Sequence, residues 1–279
     1  MDEHVKNQHY VPQFLLKNFS SRDGKFIWAY DKEEKYGPKN QERPIRRVAS
    51  EQFFYDQIRN SKVDSLEYVL QEIENQTAPI IANVLESKTI KSLSERDRKT
   101  LSFFVIVQHL RTKGHLRELG DLMDDVCEQL LQKANIKIEK IDPKELWFTF
   151  VEDSKLYSES IMNKVWMLSE SNESFYISDN PVVLQNSTNR SEIIGTLGLE
   201  SYGIEIYLPL SHSLTLCMFC EKLFESSGYN LKCIDNLMCP PESIENLNFL
   251  QVASSQRFVF SHKNDIDSIE DKLKFIGSK

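Results

Sequence analysis

The sequence predicts a single α+β domain in which an N-terminal β-hairpin and C-terminal β-strands form one mixed sheet, packed against a central bundle of long helices. Two observations support this prediction. Residues 8–60 and the part of the chain after residue 171 consist of short strand-like runs separated by turn residues, whereas residues 63–170 repeat apolar side chains every three or four positions. Strands segregated from helices along the chain favour the α+β class. A detached helical subdomain at 63–170 is the alternative.

The N-terminal region is predicted to be a turn-rich β segment. Asp23-Gly24 is a turn signal, and Phe26, Trp28 and Tyr30 alternate with smaller residues, which predicts one arm of a hairpin. The next segment, KYGPKNQERP, combines Gly, Pro and Asn and is predicted to be a loop.

Three long helical regions are predicted in the middle of the chain. The first covers residues 63–87 and contains Pro79, which kinks the helix or marks a break just before it. The second begins at the N-cap Ser94 and has acidic residues in its first turn, where the helix dipole favours them. An acidic amphipathic segment follows over residues 116–134. The third region, residues 142–171, opens with an Asp-Pro pair, which is typical of a helix start.

Strand-like runs return in the C-terminal part of the chain. They are rich in β-branched and aromatic residues and read SFYISDNPVVLQN, GIEIYLPLS, HSLTLCMFC and QRFVFS. A helix is predicted over residues 243–255. We expect the domain to span residues 7–262 and residues 263–279 to form a charged tail helix on the surface.

Composition and charge exclude several classes of protein. The chain of 279 residues is 40% hydrophobic and 27% charged, which excludes a wholly disordered or fibrous chain. Because no apolar run approaches about 18 residues and no secretory signal is recognised, we expect no membrane partner and a cytoplasmic location. The net charge of −8 argues against a protein that coats nucleic acid non-specifically, although a local basic patch is compatible with it.

The five cysteines are expected to be reduced thiols, because their number is odd and no secretory signal precedes them. Cys217 and Cys220 form a C-x-x-C pair, with Cys233 and Cys239 following, and four thiolates can bind zinc. Yet Cys217 lies in an apolar strand-like run, where alternation would put it and Cys220 on opposite faces. We therefore expect buried thiols and no zinc.

The motif HYVPQ contains the first candidate site residues. We expect Pro12 to stiffen the backbone and to direct His9 and Gln13 into one pocket. His9 is a candidate catalytic acid or base near neutral pH, and Gln13 is a candidate for orienting a substrate or a water. The alternative is a core or turn histidine whose hydrogen bonds are satisfied internally.

The helix that contains LSFFVIVQHL is apolar nearly all round and is therefore predicted to be central and buried. On 100° spacing Gln108, Arg111 and His115 share one face. A buried arginine needs a carboxylate, a phosphate or carbonyl groups around it. Arg111 is thus a catalytic candidate for an anionic group, with Gln108 as a substrate-binding candidate; a structural Arg–Asp pair is the alternative. The Arg111–His115 pair also resembles the Arg…His pair of HEPN ribonucleases, but its three-residue spacer is shorter than usual there.

Asp179 in the string SDNP is the third catalytic candidate. A tight turn between two apolar runs would hold it at a strand end, where it could face Arg111 or His9, or bind a metal. The alternative is a turn in which Asp179 accepts hydrogen bonds from backbone amides. Arg257 begins a later strand and is a substrate-binding candidate that could meet Asp179.

Glu67 and Glu74 are weak candidates for metal ligands. They are seven residues apart and therefore lie on one side of the first helix. Together with His9 and Asp179 they could form an oxygen-rich site, which makes a divalent metal a candidate cofactor. A solvated charged helix face is the alternative.

The string NQHYVPQFLLKNFS resembles the start of a mostly bacterial family of uncharacterised proteins, a domain of unknown function. Its members open with a His-Tyr-Val-Pro-Gln motif, and a Ser-Asp-Asn-Pro motif comes later. Blocks in the same order resemble that family over residues 7–262: Glu67–Glu74, QHLRT, SDNPV, IYLPLS and ASSQRFVFS. The cysteines are not part of the shared pattern. The resemblance implies no activity. The patchy occurrence of the family and the small size of its members raise the expectation of a role in bacterial defence against phage.

Absent motifs narrow the functional hypotheses further. The sequence has no P-loop, no G-x-G-x-x-G, no G-x-S-x-G and no H-E-x-x-H. The first hypothesis is a hydrolase for a phosphate-bearing substrate, such as a nuclease, in which His9, Arg111 and Asp179 meet in one cleft. The alternatives are a non-catalytic binding module for an anionic ligand or a protein partner, and a purely structural polar network. Nucleic acid is thus a candidate partner.

Overall fold

The computed structural model describes residues 5–59, 62–134, 142–188, 197–224 and 235–277. The helices in these ranges are α1 Gln13–Lys17, α2 Glu67–Ser87, α3 Glu95–Leu110, α4 Lys113–Ala134, α5 Pro143–Glu152, α6 Ser158–Met162, α7 Pro241–Ser254 and α8 Ile266–Gly277. The strands are β1 Asn7–His9, β2 Phe26–Asp31, β3 Asn40–Pro44, β4 Ser50–Gln52, β5 Asp56–Arg59, β6 Lys62–Ser65, β7 Val165–Glu170, β8 Ile177–Ser178, β9 Val183–Asn186, β10 Ile204–Ser211, β11 Leu214–Phe219, β12 Asn236–Met238 and β13 Phe258–Ser261. These elements confirm the α+β class.

The two ends of the chain do share a sheet, but it is one of two main sheets rather than the only one. The N-terminal hairpin β2–β3 pairs with β13, and β13 pairs with β8, giving the order β3-β2-β13-β8. The other C-terminal strands form a second, mixed sheet in the order β12-β7-β11-β10-β9. The expectation of one sheet was wrong because β9 and β11 occupy both edges of the fully buried β10, so β10 offers no edge to β13.

The N-terminal hairpin begins at a tight turn. Asp23 and Gly24 both have positive φ, at 53° and 65°, and the Lys25 amide donates to the Arg22 carbonyl at 3.2 Å. Two positive φ values at the central positions are typical of a type I′ turn, whose twist matches that of the flanking strands. The predicted hairpin arm is confirmed as β2. The prediction of a loop after β2 is wrong for its second half, NQERP, which forms the edge strand β3. This strand is polar, so the sequence contains no apolar alternation that would have indicated it.

The helical middle differs from the prediction at both ends. Helix α2 starts at Glu67 and not at residue 63, because residues 62–65 pair with β5 as a second strand. Helix α3 begins at the predicted N-cap Ser94, where the hydroxyl accepts from the Asp97 amide in a capping box. At the far end, residues 165–170 are not helical. They form β7, whose apolar run is paired on both sides, by β11 and by β12.

One main apolar core joins the N-terminal motif to the helices and to both sheets. It includes the fully buried residues Val11, Leu15, Phe104, Trp147 and Phe260. The predicted tail helix is α8, and it is more than a surface element, since Ile269 is completely buried against a smaller cluster on β13 and α7. Within the described ranges, no helix combines the length and the apolar composition needed to cross a membrane.

Gly203 provides a test of the turn that leads into β10. Its φ is +82°, and a Cβ atom there would overlap the Thr188 hydroxyl and lie 2.7 Å from Asn186 Oδ1. Gly203→Ala should therefore lower the free energy of unfolding by about 2–4 kcal/mol, because a left-handed conformation and a steric clash add.

The matched control is Gly37→Ala, where the new Cβ would meet only ordinary contacts at 3.6 Å or more. Its free energy of unfolding should stay within about 0.5 kcal/mol of the parent protein, measured by urea denaturation. Equal effects of the two substitutions would contradict the described turn.

Candidate functional site

The N-terminal motif is anchored in the core by its apolar residues. Strand β1 pairs with β4, and the Tyr10 amide donates to the Ala49 carbonyl at 2.9 Å. Val11 and the two leucines of α1 are completely buried, whereas Gln13 on the same short helix is exposed. The motif therefore lies between the domain core and the surface.

The centre of the site is the guanidinium group of Arg111, which follows the last residue of α3. Its Nε donates to Gln108 Oε1 at 2.9 Å, and its Nη1 donates to Glu74 Oε1 at 2.8 Å. Gln108 in turn donates through Nε2 to the Tyr10 carbonyl at 2.9 Å. Arg111 is 1% exposed and the Glu74 side chain 25%. The buried cation thus connects α2, α3 and the N-terminal motif.

Tyr55 closes the network from the other side. Its hydroxyl donates to the Arg111 carbonyl at 3.1 Å, its amide donates to Gln8 Oε1 at 2.6 Å, and its ring stacks on Trp147 with centroids 5.7 Å apart. Gln8 also donates to Asp56 Oδ1 at 2.8 Å. These contacts hold the end of α3 against β1, and they limit how far the guanidinium can move.

The pKa of Arg111 is raised above its ordinary value. Burial is the largest single effect and lowers this pKa, but Glu74, Tyr55 and Glu67 together raise it by more. The guanidinium is therefore fully charged. Its second terminal nitrogen, Nη2, is buried and has no hydrogen-bond partner among the described residues.

His9 lies beside this cation. Burial lowers the pKa of His9 to about 4, and the positive charge of Arg111 lowers it further, while hydrogen bonds to the Ile45 and Arg46 backbones act in the opposite direction. His9 Nε2 is buried and has no partner among the described residues. We assign the ring proton to Nδ1, on the side of the Ile45 and Arg46 backbones, which makes Nε2 the basic nitrogen of a neutral ring.

Asp179 is held elsewhere, by backbone amides. Its Oδ1 accepts from the Gln256 amide at 2.9 Å, and its Oδ2 accepts from the Arg257 and Phe258 amides at 2.7 and 2.9 Å. The carboxylate is 3% exposed, and burial raises its pKa in spite of these three donors. Asp179 thus fixes the turn between α7 and β13. The described contacts join it to no side chain of the Arg111 network, although its charge is felt at Tyr10.

Arg257 forms an ion pair on the hairpin sheet. Its Nε and Nη2 bind Asp31 Oδ1 and Oδ2, both at 2.8 Å, and Asp31 is fully buried. Arg43 lies 3.3 Å from the same carboxylate. A bidentate pair of this kind fixes β2 to the start of β13. The predicted substrate-binding residue is therefore engaged within the fold.

The chain segments that contain Asn180 and Thr112 are in contact next to Asp179. The Thr112 hydroxyl donates to Asn180 Oδ1 at 2.9 Å, and a Cβ at Gly114 would lie 3.0 Å from Asn180 Nδ2. The rings of His109 and His115 are 5.3 Å apart, and both Nδ1 atoms are buried without a hydrogen bond to a described residue, although His115 Nδ1 lies 3.9 Å from Glu118 Oε2. The SDNP string thus packs against the α3–α4 junction.

Gln13 lines a surface pocket and does not point at the Arg111 network. This pocket has a volume of about 340 Å³ and is bounded by α1, the turn before β2 and the Ile45–Arg46 dipeptide. The expectation that His9 and Gln13 share one pocket is therefore not met by the residues that line it. Both residues are nevertheless near one dipeptide, since Ile45 and Arg46 line the pocket with Gln13 and their backbones act on the pKa of His9.

A metal site finds no support in the arrangement of the glutamates. Glu74 binds the Arg111 guanidinium, and Glu67 adds to the same field, so both face a cation. Within the described ranges no three His, Cys, Asp or Glu side chains are grouped as metal ligands. Cys217, Cys220 and Cys239 are buried, and Cys233 lies outside the described residues.

The structure brings together four of the predicted residues and separates three others. His9, Gln108, Arg111 and Glu74 belong to one network, with Glu67 acting on it electrostatically. Asp179, Arg257 and Gln13 have other contacts. Tyr55 and Gln8 were missed; the aromatic run EQFFYD and the position of Gln8 next to His9 were the available signals. The network provides a neutral imidazole and a fixed guanidinium, which suit proton transfer and anion binding.

Removing the carboxylate of Glu74 tests whether the buried cation depends on it. Breaking a fully buried ion pair from one side costs about 3–5 kcal/mol, and since a quarter of the Glu74 side chain is exposed we expect Glu74→Gln to lower the free energy of unfolding by about 2–3 kcal/mol.

Glu86→Gln on the same helix is the matched control, because Glu86 is exposed. It should change the free energy of unfolding by less than about 0.5 kcal/mol in urea denaturation. If Glu74→Gln is no more destabilising than this control, Arg111 does not depend on Glu74.

Comparison with known proteins places the whole domain in one family. The family model described as "Protein of unknown function (DUF4238)" matches residues 7–265, which includes the N-terminal motif, the Arg111 network and the SDNP turn. Neither the search of curated proteins nor the search of solved structures found a match. Because the match covers nearly all of the described fold, the chain belongs to the DUF4238 family of proteins of unknown function.

Proposed function

We propose that the protein is a hydrolase that acts on a phosphate-bearing substrate at the Arg111 network. One observation carries the proposal: two complementary atoms, Arg111 Nη2 and His9 Nε2, are buried near each other and have no partner among the described residues. Unsatisfied buried polar atoms are costly, and they are concentrated at sites where function requires them. A phosphate oxygen bound at Nη2, with a water or a hydroxyl at Nε2, would satisfy both atoms.

The other contacts of Arg111 prepare it for this role. Gln108 holds Nε and Glu74 holds Nη1, so the plane of the guanidinium is set before any ligand arrives. Nη2 is the guanidinium nitrogen that has no hydrogen-bond partner among the described residues. A donor held in place in a site of low dielectric stabilises developing negative charge without reorganising. Arg111 would thus stabilise the charge on the phosphoryl oxygens.

His9 would transfer the proton. Its Nδ1–H is held by the Ile45 and Arg46 backbones, so Nε2 can accept a proton from an attacking water. The water oxygen forms a bond to phosphorus, the ester bond breaks, and the proton on Nε2 passes to the leaving oxygen. The negative charge of the substrate would raise the pKa of His9 towards the range in which this transfer is efficient.

Asp179 takes a positioning role in this proposal. Its three amide contacts fix the α7–β13 turn, and its charge acts on the hydroxyl group of Tyr10. A nuclease that acts in bacterial defence would be one specific form of such a hydrolase. The phosphate chemistry of the Arg111 network supports this form.

Binding without turnover is the second candidate function. It is favoured by the engagement of the Asp179 carboxylate with three backbone amides, because this removes the third predicted catalytic group from the site. An anionic ligand could then be held at Nη2 with no nucleophile next to it.

Turnover separates these two functions. The purified protein is tested against a panel of phosphomonoesters and phosphodiesters, and the His9→Gln variant should hydrolyse the accepted substrate at least about 100-fold more slowly, as expected for the loss of a general acid–base group. Arg111→Lys keeps the charge and loses the fixed fork, so it should also lose activity.

The matched control is His262→Gln, on the ring that stacks on His212 with centroids 4.2 Å apart, outside the Arg111 network. It should retain the parental rate, and thermal melts should show that all variants are folded. If His9→Gln hydrolyses the substrate as fast as the parent, the catalytic proposal is wrong. Saturable binding of a panel compound without hydrolysis would favour the binding module.

A further inference from the structure

We propose that the pocket lined by Gln13, Lys17, Lys25, Phe26, Ile45 and Arg46 binds the phosphate group of a nucleotide, either free or as a unit of a nucleic-acid strand. We call it the basic pocket. The assignment names a substrate class for the site proposed above, and it rests on that proposal only for its link to His9. The binding itself depends on a separate set of residues.

The charge of the basic pocket is the first argument. Its lining includes three cations, Lys17, Lys25 and Arg46, and no carboxylate among the lining residues. All three are exposed, and none forms an ion pair with a described residue. By contrast, the larger pocket between α2 and α3 balances two lysines with two glutamates. In a chain of net charge −8, three unneutralised cations around one pocket are a local reversal of sign.

The shape and chemistry of the basic pocket are the second argument. A volume of about 340 Å³ lies at the lower end of the range of small-ligand sites, which suits one nucleotide unit and not a duplex. Phe26 supplies an aromatic wall, and the Arg22 guanidinium lies 4.6 Å from the centre of its ring. Cations together with an aromatic side chain are typical of sites that bind single strands, and Gln13 adds a neutral hydrogen-bonding group.

The local fold sets these residues around the pocket. Gln13 and Lys17 are one turn apart on α1 and therefore share a face. Lys25 follows the type I′ turn that requires positive φ at Asp23 and Gly24. The side chains come from three separate segments, so the pocket is a product of the tertiary fold and not of one basic run in the sequence.

The Ile45–Arg46 dipeptide connects the basic pocket to the site proposed above. Both residues line the pocket, and their backbone groups are hydrogen-bonded to the His9 ring. A strand bound in the basic pocket would therefore have one phosphate next to the dipeptide whose backbone acts on His9.

The test measures binding of a fluorescent single-stranded oligonucleotide by anisotropy, with a mononucleotide and inorganic phosphate as competitors. Three phosphate contacts on a single strand predict that log Kd rises with log salt with a slope of about 2. The double variant Lys17→Glu/Lys25→Glu should bind at least about tenfold more weakly and show a smaller slope. It should remain folded, because it removes repulsion between like charges.

The matched control is Lys91→Glu, an exposed lysine that does not line the pocket, and it should bind as the parent does. Tighter binding of the oligonucleotide than of the mononucleotide identifies a nucleic-acid strand as the ligand, and equal binding identifies free nucleotides. Failure of the parent to bind either of them, or unchanged binding by the double variant, overturns the assignment. His9→Gln should still bind, so a protein that binds but does not hydrolyse would refute the proposed hydrolase and leave the basic pocket intact.

Discussion

The burial of the Arg111 guanidinium is the constraint on which the rest of the site depends. An isolated buried charge costs far more than a domain can offset, so the fold has to supply partners for it. It does so from α2, through Glu74, and from α3 itself, through Gln108. Gln108 then binds the Tyr10 carbonyl, which ties the N-terminal motif to the helices. One charge therefore sets the relative positions of three segments that are far apart in the chain.

The same charge determines the chemistry of His9. Burial is the larger cause of its lowered pKa, and the cation beside it acts in the same direction. The imidazole is therefore neutral at physiological pH, with one nitrogen held by backbone carbonyls and the other unpartnered among the described residues. A neutral ring next to an uncommitted N–H of a guanidinium is a pair that an anion with an acidic proton or a bound water would fit.

Sequence patterns predicted the elements whose periodicity is strong and missed those that depend on pairing. Helix α3 could be predicted, down to its N-cap Ser94, because its apolar run and its cap are local features. The sequence predicts a helix where the structure has strand β7, because the apolar run alone fits both elements and only its pairing with β11 and β12 makes it a strand. At the site, the burial of Arg111 could be predicted from the apolar helix that contains it, but its carboxylate partner could not. Glu74 was considered as a metal ligand and Asp179 as a candidate partner, because no local pattern shows which carboxylate the fold brings near.

The pKa of His9, with and without phosphate, tests the central claim most directly. An NMR titration of the His9 ring should give a pKa of about 4 in the free protein, and saturating inorganic phosphate should raise it, because an anion at Arg111 Nη2 offsets the field of the guanidinium. Arg111→Lys should abolish this response. An ordinary histidine pKa near 6.5 that phosphate leaves unchanged would contradict both the burial of His9 beside the cation and the anion site.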